Sequence, residues 1–79
     1  MVVKILGSGC TKCKILEAKV RELIAANNIN ASVEKVTEIQ EIMTYGIMST
    51  PGLVIDGKVK SYGNIPKDEQ ILEWLRSEQ

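Results

Sequence analysis

The sequence predicts an α/β protein with element order βαβαββα, a mixed four-stranded sheet with helices on both faces. Three observations predict it. A β-branched apolar run opens the chain and gives way, across a glycine-rich turn, to a long stretch of helical periodicity. An Asp56-Gly57 pair joins two short strand-like runs, the signature of a tight type I′ hairpin. A second amphipathic pattern closes the chain.

Each element has its own warrant. Val2 to Leu6 is short and apolar, as a buried strand requires, and Gly7-Ser8-Gly9 breaks it. From Thr11 to about Ala26, Cys13, Leu16, Val20, Leu23 and Ile24 share one helical face, with Asn27-Asn28 as the stop. Ala31 to Val36 alternates as a second strand, parallel to the first by a right-handed crossover. Thr37-Glu38-Ile39-Gln40 has the form of a capping box, predicting a short helix that buries Ile39, Ile42 and Met43 and stops at Gly46. Leu53-Val54-Ile55 and Val59-Lys60-Ser61-Tyr62 form the hairpin. The last helix runs from about Asp68 to Arg76, with Pro66 before it, Asp68 and Glu69 at its positive end, and Ile71, Leu72 and Leu75 as its buried stripe.

Composition narrows the function. The 79 residues are expected to form a single domain, 1–79, without linker or repeat. Ten basic and ten acidic side chains cancel, which leaves no electrostatic footprint for nucleic acid or an anionic membrane. Histidine is absent, so imidazole catalysis and histidine ligation are excluded. Phenylalanine is absent too, and the core must be aliphatic. The first residues are too short an apolar run for a secretory leader and no run is long enough to span a bilayer; the expected location is cytoplasmic, where disulfides are transient and catalytic.

The chemistry concentrates at Gly9-Cys10-Thr11-Lys12-Cys13, where the first strand meets the first helix. Residues three apart in a helical turn have Cα atoms about 5–6 Å apart, within disulfide range. Cys10 falls at the helix N-terminus, where free N–H groups and the positive dipole end favour a thiolate, and Lys12 and Lys14 add positive charge. Cys10 is therefore the expected nucleophile and Cys13, on the apolar face, the resolving thiol. Other readings stand beside this one. The pair could be inert core, or it could carry Cu(I) in two-coordinate fashion as a thiophilic-metal carrier. Two thiolates are too few for a closed zinc site. Copper-chaperone domains of order βαββαβ carry such a pair, usually with Met two residues before the first Cys, where this chain has Ser8.

A second constellation carries a family resemblance. Tyr45-Gly46-Ile47-Met48-Ser49-Thr50-Pro51, placed just before the hairpin, resembles the segment ending in the cis-proline of thioredoxins and glutaredoxins. Gly63 after the last strand resembles the glycine these folds carry before their final helix. Combined with Cys-x-x-Cys, these features resemble the small thioredoxin-like, redox-active disulfide proteins of the thioredoxin–glutaredoxin superfamily, over essentially the whole chain. The resemblance implies a thioredoxin-like fold and a thiol–disulfide oxidoreductase working by reversible dithiol–disulfide exchange at Cys10 and Cys13, with no organic cofactor and no metal. It implies a cis bond at Pro51, with Thr50 offering its backbone to an extended, disulfide-containing protein substrate, and electrons arriving from a reductase or a small thiol. Met48 and Gly63 would belong to the docking surface, and Lys12 would tune the thiol.

The chain also departs from those relatives. Thr11-Lys12 replaces the Gly-Pro of thioredoxins and the Pro-Tyr of glutaredoxins, and no Trp precedes Cys10. Lys4 stands where thioredoxins hold a buried acid. Tyr62-Gly63-Asn64-Ile65 replaces the Gly-Gly and acidic cluster with which glutaredoxins grip glutathione. A non-catalytic docking domain whose disulfide senses redox state is the remaining alternative. Among the other residues, Met43 is expected in the core, Trp74 as partly buried packing, Tyr45 and Tyr62 at the active face or capping the core, and Lys58 and Lys60 on an edge strand.

Overall fold

Alternation along the first strand decides how the sheet is filled: Val3 and Ile5 point to one face, Lys4 and Leu6 to the other. The computed structural model describes residues 1–7 and 9–77; Ser8, the position compared with the copper-chaperone methionine, lies outside the described residues. The elements are β1 (Val2–Leu6), α1 (Thr11–Ala26), β2 (Ser32–Val36), α2 (Ile39–Met43), β3 (Gly52–Ile55), β4 (Lys58–Tyr62) and α3 (Asp68–Ser77). The sheet order is β2-β1-β3-β4. β1 pairs parallel with β2 and antiparallel with β3, and β3 pairs antiparallel with β4. This is the predicted α/β architecture. It differs in order from the βαββαβ of copper chaperones.

One face of the sheet packs on α1 and α3. Val3, Ile5, Leu53 and Ile55 meet Leu16 and Val20 of α1 and Ile71 and Leu75 of α3 in an aliphatic cluster. Trp74 packs against its edge, half-buried as expected. The other face holds a smaller cluster of Leu6, Val36, Val54, Ile42 and Ile47, with Tyr45 at its margin. Helices therefore cover both faces. Among the described residues no helix is long and apolar enough to cross a membrane.

Local chemistry fixes the ends. Asn27 caps α1, its side-chain amide donating to Leu23 O at 2.9 Å, and Asn28 follows with φ +57°. Asp56 and Gly57 both take positive φ, +48° and +83°, as a type I′ turn requires. Asp56 ties this hairpin to β1 by accepting from Val2 N–H at 2.8 Å. A bulge between Leu53 and Val54 bends the pairing with β4, the edge strand that carries Lys58 and Lys60.

The short helix corrects the sequence reading. Its N-cap is Glu38, without a side-chain cap bond, so the Thr37/Gln40 capping box does not form. Of the three residues expected inside, only Ile42 is buried; Ile39 and Met43 are each 66% exposed. Five residues give a helix little more than one turn, which presents one position to the sheet, and among the described residues no further layer lies above it to cover the flanking two. Gly46 does turn left-handed, at φ +77°, but three residues beyond the helix end.

Candidate active site

The strand registers bring the site together. Leu6, the last residue of β1, pairs with Gly52, the first of β3, so the turn leaving β1 and the segment entering β3 lie side by side. The first holds the cysteines and the second holds Thr50 and Pro51, whose peptide bond is cis. Gly7 marks the closest approach. A β-carbon there would overlap Cys13 Sγ and lie 3.6 Å from Thr50 Cβ, so only a glycine lets the two segments meet.

Cys10 is the N-cap of α1, in extended conformation with φ −66° and ψ 162°. Its sulfur accepts the backbone N–H of Cys13 at 3.1 Å, in place of the hydroxyl or carboxylate oxygen that usually caps a helix. Cys10 is exposed, whereas Cys13, one turn inward beside Leu16, is 4% exposed. The two are joined in a disulfide with an S–S distance of 2.11 Å and a Cα separation of 5.0 Å. No acidic residue occupies the first turn of α1, and Lys12 and Lys14 there are exposed. A cavity of about 30 Å³ adjoins Cys13, lined also by Gly7, Gly9, Glu17 and Lys35.

On the other side of Thr50 runs an apolar groove of about 300 Å³, formed by Ile39, Ile42, Met43, Ile47 and Met48 with Ser49. Met48 is 91% exposed at its rim. Gly63 sits under this segment: its N–H donates to Pro51 O at 2.9 Å, and with φ +83° a β-carbon would run into Ser49 Oγ. Lys4 lies on the α2 side of the sheet and donates to the Tyr45 hydroxyl at 3.3 Å, a contact that raises the ammonium above its ordinary pKa. Tyr62 is half exposed on β4.

A family model described as a thioredoxin domain matches residues 1–76. The chain belongs to the thioredoxin family. It is 37% identical to a thioredoxin of Methanothermobacter thermautotrophicus over 95% of this chain and 97% of that one. It is 35% identical to a thioredoxin of Methanocaldococcus jannaschii over 98% and 88% of the two chains. The fold is similar to the germline-specific thioredoxin Deadhead of Drosophila melanogaster, with a TM-score of 0.65 and 17% identity over 96% of this chain and 78% of that structure. As a thioredoxin-family protein, with two cysteines at disulfide distance, the chain is a thiol–disulfide oxidoreductase that acts on protein disulfides by dithiol–disulfide exchange.

Within this thioredoxin fold, the residues singled out from the sequence, Cys10, Cys13, Thr50, Pro51, Met48 and Gly63, lie around one end of the sheet. The sequence reading did not single out Gly7, whose signal was only its place after a strand, or Glu17, which lines the cavity beside Cys13 and whose signal was its spacing of four from that cysteine. It also missed the groove, because Ile39 and Met43 read as core.

Proposed function

We propose that Cys10 attacks the substrate disulfide and that Cys13 resolves the mixed disulfide, returning the reduced substrate and the intramolecular Cys10–Cys13 bond. The observation that carries this assignment is the asymmetry of the pair: an exposed residue at a helix N-cap, its sulfur accepting an N–H, against a buried cysteine one turn on. An N–H donated to sulfur and the positive helix end both favour the thiolate at Cys10, and Lys12 adds charge of the same sign. Thr50 offers its backbone to an extended substrate strand, with Pro51 holding the segment and Gly63 bracing it from below. The groove from Ile39 to Met48 takes an apolar side chain flanking the substrate cysteine. Electrons come from a reductase or a small thiol, and the reaction runs in the cytoplasm.

Trapping tests the assignment. In cell extract, Cys13→Ser accumulates covalent adducts through Cys10, because the thiol that would release them is gone, while Cys10→Ser accumulates few. A Cu(I) carrier gives another outcome: both variants lose metal alike and neither captures protein. Mass spectrometry of the two variants purified without reductant separates the readings. A wild-type protein that keeps one metal ion, with no adduct on either variant, overturns the assignment.

A further inference from the structure

Only a thiolate attacks a disulfide sulfur, so Cys13 must lose its proton before it can resolve a mixed disulfide. Burial in apolar surroundings disfavours that loss, and Cys13 is 4% exposed. A cavity of about 30 Å³ that Cys13 lines gives the proton an outlet on the inner side of the turn. Three charged residues line it: Lys14, Glu17 and Lys35. The lysine ammoniums donate and do not accept. Glu17 is the acceptor.

We propose that Glu17 takes the proton from Cys13 in the resolving step, with Lys35 and Arg21 as positioning residues for its carboxylate. The proposal rests on Cys13 being the resolving thiol. Glu17 follows Cys13 by four residues, which makes the two neighbours on one helix face, with Cβ atoms about 5–6 Å apart. Its side chain is only 18% exposed, and both oxygens are held: one by Arg21 Nε at 2.9 Å, the other by Lys35 Nζ at 3.4 Å across from β2. The cavity has room for one water to bridge thiol and carboxylate. Burial pushes the carboxyl up, but the bonds from Arg21 and Lys35 outweigh it and hold the group below its ordinary pKa. Glu17 is thus ionised across the neutral range and able to accept, though the two cations weaken it as a base, which places its contribution at the modest end for a positioned carboxylate. Lys4, the ionisable side chain of β1, lies on the opposite face of the sheet with Tyr45.

The step balances as follows. The Cys13 S–H bond breaks and its proton passes to Glu17. The Cys13 sulfur bonds to Cys10 Sγ as the bond from Cys10 to the substrate sulfur breaks. That sulfur leaves with the electron pair and takes a proton from solvent, to which Glu17 later returns its own. The two cysteines are oxidised by two electrons and the substrate disulfide is reduced to two thiols.

Stopped-flow mixing of the reduced protein with a chromogenic aryl disulfide tests this. The first equivalent of coloured thiolate reports attack by Cys10, and the second reports resolution by Cys13. Glu17→Gln, which keeps the side-chain shape, leaves the first phase unchanged and slows the second by about tenfold or more near neutral pH, toward the lower end of what a positioned base supplies. The gap closes as pH rises, because Cys13 then ionises unaided, and Glu17→Asp recovers part of the rate. A purely structural role would slow both phases, or slow the second equally at every pH; either result overturns the proposal, as does a second phase that Glu17→Gln leaves unchanged. A wild-type protein that releases one equivalent and no second overturns instead the resolving role of Cys13.

Discussion

Gly7 shows how one absent side chain sets the geometry of the site. Cys13 Sγ occupies the space a β-carbon would need, Cys13 Cβ would stand 3.3 Å away, and Thr50 Cβ closes the other side. Gly7→Ala must therefore push the cysteine turn away from the Thr50–Pro51 segment or displace a buried sulfur. Overpacking of this kind costs about 1–3 kcal/mol. The expected result is a lower denaturant midpoint for the oxidised protein at an unchanged slope, measured by urea unfolding. An unchanged midpoint would mean that the turn has slack and that the close approach is not a constraint. The cysteines themselves were legible in the sequence because their chemistry depends on local spacing and a helix end. Gly7 was not, because its constraint comes from Thr50, a neighbour only through the β1–β3 register.

Between elements, the Glu17–Lys35 pair is a polar tie from α1 to β2, and it has an acid limit. The Glu17 carboxyl is held below its ordinary value in the folded protein, so the native state binds fewer protons there than the unfolded chain. Its stabilising contribution is present above the unfolded carboxylate value of about 4.3 and is lost as pH falls through the folded one. Urea midpoints taken from neutral pH down to about pH 3 should show Glu17→Gln less stable than wild type at the top of the range and equal to it at the bottom. A gap that stays constant with pH would assign the loss to packing rather than charge. Most elements were readable from pattern: the α1 stripe of Cys13, Leu16 and Val20 is buried, and the Asp56-Gly57 turn takes the φ values its residue types predict. The short helix was not, and the reason is physical. Thr37 and Gln40 fit a capping box, yet a side-chain cap is a small local term, and here packing of Ile42 against Leu6, Val36 and Val54 sets where the helix begins. The same override turned Ile39 and Met43 outward and made a groove where periodicity predicts core.

Over the whole molecule, the chain has the compactness of an ordinary folded domain of its length, with a radius of gyration of 11.4 Å against about 11.6 Å expected for this size. Its two cores are unequal. The α1/α3 face buries long aliphatic side chains from four elements, whereas α2 contributes Ile42 as its one buried residue. A helix of five residues is too short to hold itself by backbone bonds, since isolated helices need about 12–15 residues to be even marginal. Its stability therefore rests on a single buried side chain and the turns at Thr44 and Gly46. Native-state hydrogen exchange measures this directly, because each amide reports the free energy of the opening that exposes it. The Ile42 amide, bonded to Glu38 O at 2.9 Å, should exchange through a local opening well below the global unfolding free energy. The amides of β1 and β3, in the middle of the sheet, should exchange only on global unfolding. If Ile42 is instead protected as strongly as Leu53 or Val54, α2 belongs to the cooperative core and the groove is rigid. Easy opening of α2 would let the groove between Ile39 and Met48 adjust to different apolar side chains. The cysteine turn, by contrast, is anchored on β1 and on the buried face of α1, so its geometry would be kept while the groove adapts.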